Sequence, residues 1–179
     1  MSELTANKNF LSPLGFRFVL QRAPNLEFFC QEFTLPEISI EDVNQETPNL
    51  RLYRPGTKLE YSPLNVEFIV DEDLSNYKEI QEWLFGLGSP QKTQQFQNLR
   101  QQEVIGEPGG IVSDGTLVVL TSNHNANIEI VFRNLFPISL SPLNFTTTSS
   151  DVDYIKATAT FRYNAFTFVG SWQTVHSMI

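Results

Sequence analysis

LNVEFIVDEDLSNYKEIQEWLFGLG, Leu64 to Gly88, carries both kinds of hydrophobic period in one run. Leu64, Val66, Phe68 and Val70 alternate with Asn65, Glu67 and Ile69, the period of a strand with one buried face. After the acidic cluster Asp71-Glu72-Asp73 the period changes. Leu74, Tyr77, Ile80, Leu84 and Leu87 recur at spacings of three and four, which predicts a helix over about residues 74–87 with one apolar face. Asp73 or Ser75 is placed to cap its start, and the early acids suit the positive end of the helix dipole. Gly86 and Gly88 are placed to end it, with Pro90 beyond.

Toward the N-terminus, Pro36, Pro48 and Pro55-Gly56 punctuate residues 36–57. With weak strand signals at Ile38–Ile40 and Leu50–Tyr53, this stretch reads as an extended arm. Further back, Phe16, Phe18 and Leu20 alternate in one run and Leu26, Phe28 and Cys30 in another, with Pro24-Asn25 between them. That predicts a β-hairpin over 15–34. Phe29 and Phe33 fall on its nominally polar face, so that face is expected to be covered as well.

Toward the C-terminus, the glutamine-rich residues 91–110 close on Glu107-Pro108-Gly109-Gly110 and read as a long surface loop. Strands resume at Thr116–Thr121. A turn at Asn123–Asn125 leads into Ile128, Ile130 and Phe132, and Pro137 to Pro142 mark a bend. One long strand is expected over Tyr154–Phe168, with Ile155, Ala157, Ala159, Phe161 and Tyr163 on one face and Lys156, Thr158, Thr160 and Arg162 on the other. No internal repeat is present. The expected fold is mainly β: a small antiparallel β-barrel or sandwich with one flanking helix, formed by residues 1–179 as one domain.

Composition narrows the function. The 179 residues are 41% hydrophobic and 18% charged, enough to bury a core without staples. Twelve basic against twenty acidic residues give a net charge of −8, which argues against a generic nucleic-acid binder, since phosphate contacts need clustered Lys and Arg. The single cysteine, Cys30, rules out an intramolecular disulfide framework. No apolar run reaches the ~20 residues that span a bilayer. Met1–Asn9 lacks the apolar core of a signal peptide, so synthesis in the cytoplasm is expected.

A search for chemistry returns little. His124 and His176, the only histidines, have no metal-ligand spacing. Cys30, among Phe28, Phe29 and Phe33, reads as a buried inert thiol. Asp71-Glu72-Asp73 does not match a calcium loop and reads as capping and solvation of the strand–helix junction. Asp151 and Asp153 read as the wet side of a strand entrance, and Gly106, Gly109 and Gly110 do not form a phosphate cradle. No catalytic residue, metal site or cofactor is expected, and the chain is not expected to be an enzyme.

Two blocks carry a resemblance. One is KLEYSPLNVEFIVDEDLSNYKEIQEWLFGLGSP, Lys58 to Pro90, with its Pro-Leu lead-in, acidic strand end, Asn76-Tyr77 and central Trp83. The other is IVFRNLFPISLSPLNFTTTSSDVDYIKATATFRYNAFTF, Ile130 to Phe168, with its Phe-Pro-Ile-Ser-Leu-Ser bend and long final strand. With Phe16–Ile40 and its Thr34-Leu35-Pro36 end, about two thirds of the chain resembles the tail tube superfamily of contractile-tailed bacteriophages. That group includes main tube, baseplate tube-initiating and terminator ring proteins, and has the inner tube of type VI secretion as a structural cousin.

The resemblance implies a homohexameric ring stacked into a conduit for DNA ejection, located in the virion tail. The implied partners are further copies of itself, neighbouring tube, baseplate or neck rings, the tail sheath, and phage DNA passing without sequence-specific binding; no membrane insertion is implied. Main tube or tube-initiating ring is the expected position, with the terminator ring as the alternative. The arm at 36–57 and the loop at 91–110 would join rings. Arg51 and Arg54 are the candidates for inter-ring contacts, and Arg133 and Arg162 for contacts between subunits; Tyr77 and Trp83 are the candidates for anchoring the helix on the sheet. Each of the four arginines reads equally well as a solvated surface residue. A monomeric carbohydrate-binding sandwich, with Tyr53, Phe166 and Trp172 as stacking platforms, is a more distant alternative. A hydrolase dependent on Asp71 or Asp73 is remoter still.

Overall fold

The computed structural model describes residues 11, 15–46, 49–88, 111–121, 125–146 and 154–170. In chain order they form β1 (Phe16–Leu20), α1 (Pro24–Phe29), β2 (Cys30–Thr34), β3 (Ile38–Glu46), β4 (Arg51–Tyr61), β5 (Leu64–Ile69), α2 (Ser75–Gly88), β6 (Ser113–Leu120), β7 (Ala126–Leu140), β8 (Lys156–Arg162) and β9 (Ala165–Gly170). The expected loop at 91–110, His124, Asp151, Asp153, Trp172 and His176 lie outside the described residues.

The fold is mainly β, with antiparallel pairing throughout, and sandwich-like rather than a closed barrel. One seven-stranded sheet runs β1-β6-β7-β8-β5-β2, with β9 also paired to β7. A separate two-stranded sheet holds β3 and β4. The fifteen-residue β7 joins the two halves of the large sheet. Its first part pairs with β6 and β9, and its last part, from Phe136 to Leu140, pairs with β8.

Between these parts the sheet turns a corner. Asn134 takes φ 56, a conformation that asparagine tolerates better than most side chains, and its amide donates to Asp114 Oδ1 at 3.1 Å. The bend expected at Pro137 to Pro142 is instead a bulge in a strand that continues to Leu140: the register with β8 shifts between Pro137 and Ser139. Proline lacks the ladder N–H, so a bulge is where a sheet accepts it. The expected long final strand is likewise two strands, β8 and β9, separated at Tyr163–Asn164 opposite the same corner, although Ala157, Ala159, Phe161 and Tyr163 do share the buried face.

The hairpin expected over 15–34 does not form. β1 pairs with β6 and β2 with β5, and Pro24–Phe29 between them is a short helix. Pro24 stands at its start, where the fixed φ of proline favours a first helical turn. Ala23 and Leu26, three apart, are buried against the core. The alternation of Leu26 with Cys30 thus spans a helix-to-strand junction, and a period of two was the wrong template.

The core lies between the two halves of the sheet and under α2. Phe18, Phe68, Phe132, Phe161 and Trp83 are its largest buried side chains. Phe33 is half-buried and bridges the halves, with its ring 5.0 Å from Phe18 and 5.9 Å from Phe132. The face of α2 turned to the core is centred on Asn76, Ile80 and Trp83, with Leu84 and Leu87 half-buried beside them. Leu74, expected on that face, precedes the helix at φ 58 and stays exposed.

Candidate functional site: an assembly surface

β3 and β4 form a long antiparallel ladder, from Ile38↔Tyr61 at its base to Glu46↔Arg51 near its tip. Proline does not break it, because Pro55 sits beside an irregularity where the register shifts between Ile40 and Asp42. Gly56 faces Glu41 there. A Cβ at Gly56 would lie 2.2 Å from the Glu41 carbonyl oxygen, so no other residue fits without moving backbone.

Every residue of β3 is exposed, as is all of β4 except Gly56 and Tyr61. Ile38, Ile40, Val43, Leu52, Tyr53 and Leu59 all show large apolar side chains to solvent, and Tyr53 is 66% exposed. An isolated two-stranded ladder is marginal in water, and a flat exposed pair of edges is a template for another chain. At the base, Tyr61 ties the ladder to the core through ring contacts with Tyr163 at 5.8 Å and Phe166 at 5.7 Å. Burial, and next the neighbouring Tyr61, push the Tyr163 phenol up to about 12, so it stays a neutral donor to the Ser62 carbonyl at 3.0 Å.

The residues singled out from sequence occupy three places. Arg51 and Arg54 are on β4: Arg51 lies opposite Glu46, with 3.9 Å between charged atoms, and Arg54 lies opposite Val43. Arg133 and Arg162 are exposed on β7 and β8, and Arg162 donates to the Tyr61 carbonyl at 3.3 Å, at the root of the ladder. Tyr77 and Trp83 tether α2: the Tyr77 hydroxyl donates to the Ser141 carbonyl at 3.1 Å and Trp83 Nε1 donates to the Ile111 carbonyl at 3.0 Å. The Trp83 ring lies 6.3 Å from that of Phe161, and the Arg22 guanidinium sits 5.2 Å from its centroid.

At the other end of β5, Asp71 Oδ1 accepts from the Asn76 amide and Asn76 Nδ2 donates to the Ile69 carbonyl. Asp71 therefore does the capping expected of Asp73 or Ser75. Beside this junction is a groove of about 540 Å³ lined by Phe29, Val70, Leu74, Phe145 and Tyr154 and edged by Asp71 and Glu72. Phe145 and Tyr154 are 73% and 69% exposed. Sequence reasoning passed over both. Their only signal is an aromatic in an otherwise polar stretch.

Cys30 is half-buried, and burial pushes its thiol up to about 12. Among the described residues, no three His, Cys, Asp or Glu side chains gather where a metal ion would be held, and no helix is long and apolar enough to cross a membrane.

A model of the phage tail tube protein family matches residues 4–169. The tail tube terminator protein of enterobacteria phage T4 is 31% identical over 120 residues, which is 65% of this chain and 61% of that protein, so the match spans less than two thirds of the relative's length. Among solved structures, a chain of the anti-feeding prophage cap, which terminates its tube, superposes with a TM-score of 0.59 at 11% identity, over 94% of this chain and 97% of that one. A chain of the sheath/tube terminator of the extracellular contractile injection system PVC, in its extended state, superposes with a TM-score of 0.56 at 14% identity, over 92% of this chain and all of the other. At such identities these structures establish a common fold.

Proposed function

We propose, because this chain belongs to the phage tail tube protein family, that it is a ring-forming subunit at the end of a tail tube, the terminator. The observation that carries self-assembly is the β3–β4 ladder. It exposes apolar side chains on both of its faces and both of its edges, and copies of the same chain in a ring and against the next ring supply the cover. The likeness to the T4 terminator supports placing the ring at a tube end. This shifts the position from the main tube or tube-initiating ring that the sequence alone suggested.

In this reading the ring is a sixfold homo-oligomer, in the tail of the particle, with the tube and sheath as neighbours. Residues 36–57 and 91–110 are its connecting arm and loop within one domain. The role is structural, with no turnover and no cofactor. A net charge of −8 suits a conduit, since DNA meets few phosphate-binding contacts as it slides through.

The family match itself favours a second reading, the repeating tube subunit. Quantitative mass spectrometry of purified particles separates the two. One ring's worth of copies per particle is the expected result. Many rings' worth would make this the main tube protein, and absence from particles would overturn both.

A further inference from the structure

The ladder and the groove lie at opposite ends of β5. The ladder is inserted between β2 and β5 and joins the sheet beside Leu64, while the groove opens beyond Ile69. Six strand residues separate them by roughly 20 Å. On the ladder, cross-strand pairing puts Val43 opposite Arg54 and Gln45 opposite Leu52, so Val43, Leu52 and Arg54 share one face. That face offers two exposed aliphatic side chains beside one cation, and Arg54 makes no ion pair among the described residues.

The groove is the complement. Its wall is aromatic and aliphatic, its edge carries Asp71 and Glu72, and none of the described residues that line it is basic. A void of ~150 Å³ holds one benzene-sized group, so about 540 Å³ accommodates the Val43 and Leu52 side chains with room for the stem of Arg54.

We infer that the Val43–Leu52–Arg54 face of the ladder seats in this groove on a second copy of the chain, with Arg54 against Asp71 and Glu72. This rests on the self-assembling reading above and names the surface that carries it. Because donor and acceptor are different surfaces at opposite ends of a strand, the contact is head-to-tail. Such contacts either close into rings or continue from ring to ring.

The test uses full-length chains carrying Cys30→Ala. One also carries Leu52→Cys and the other Phe145→Cys. The two are mixed under assembling conditions, oxidised mildly and run on a non-reducing gel, with native mass spectrometry on the same samples. The inference predicts disulfide-linked heterodimers only in the mixture. Arg54→Glu should reduce their yield at least tenfold, and Glu72→Arg in the partner should restore it.

Multimers by mass without the cross-link overturn the docking and leave self-association standing; the groove is then filled by another segment or left open. In a chain carrying both cysteines, a cross-link closed within one copy also overturns it. Monomers alone at every concentration, without cross-link, overturn the self-assembling reading together with the docking.

Discussion

Asn76 is wholly buried, yet its side chain donates to the Ile69 carbonyl at 2.8 Å and exchanges weaker bonds with Asp71. It locks the end of β5 to the first turn of α2. The resemblance of the Lys58–Pro90 block singles out Asn76-Tyr77, but the hydrophobic period does not distinguish Asn76 from a surface asparagine, because its value lies in a partner seven residues back. Trp83 was legible, since a tryptophan in a helix of this size almost always packs inward. Trp83→Ala should cost about 3–5 kcal/mol of stability by denaturant titration. Trp83→Phe, which keeps one aromatic ring but loses the pyrrole part of the indole and its bond to Ile111, should cost less, about 1–3 kcal/mol.

Glu79 gives a pH signature at the same scale. Its carboxyl accepts from Asn25 Nδ2 at 2.6 Å and has one oxygen buried without a partner. Burial, with Asp71 and Glu82 adding repulsion, raises its pKa above 4.5 against the opposing pull of Asn25. A raised carboxyl pKa favours the folded state while protonated. That contribution is full below 4.5 and is lost as pH rises through the folded value. The stability of the native chain relative to Glu79→Gln should therefore fall as pH rises from 4 toward neutrality, read from paired urea titrations. Parallel curves would remove Glu79 from the account.

At the scale of elements, β5, β8 and α2 were readable because each keeps one strict period over its length. The failures share a cause. β1 and β2 look like a hairpin because two apolar runs flank a Pro-Asn pair, but the partners that satisfy them, β6 and β5, lie far along the chain. β7 looks interrupted at Pro137 because a proline inside a strand is acceptable only once a bulge is known to be there. The β3–β4 ladder was read as an arm with weak strands, since its alternation mixes charged and apolar residues on both faces. That mixture is itself a mark of a ladder with no face committed to the core of its own chain. Exposed strands of this kind open easily. Trypsin should therefore cut the ladder of the unassembled chain at Arg51 and Lys58, and assembly should slow that cleavage at least tenfold while cleavage of denatured chain is unchanged. Equal rates in both states would mean the ladder stays bare in the assembly.

At the scale of the whole molecule, among the described residues β1, β2 and β9 are each paired on one side only, and an uncovered ladder is added. A monomer keeps these liabilities, and ring closure removes them without new chemistry. The chain is acidic overall, so Arg54, set on the ladder among Glu41, Asp42 and the Arg51–Glu46 pair, is a local cation that acidic surface on another copy complements. The sequence does not show this pairing, because Arg54 and Glu72 become complementary only when the topology puts the ladder and the groove at opposite ends of β5. The measurement that decides it is a cryo-EM reconstruction of the tail from particles that carry this chain. The account predicts a single sixfold ring of it at the end of the tube, with the ladder of each copy lying against a neighbour. The chain missing from the tail, or present with residues 38–61 exposed to solvent, would contradict it.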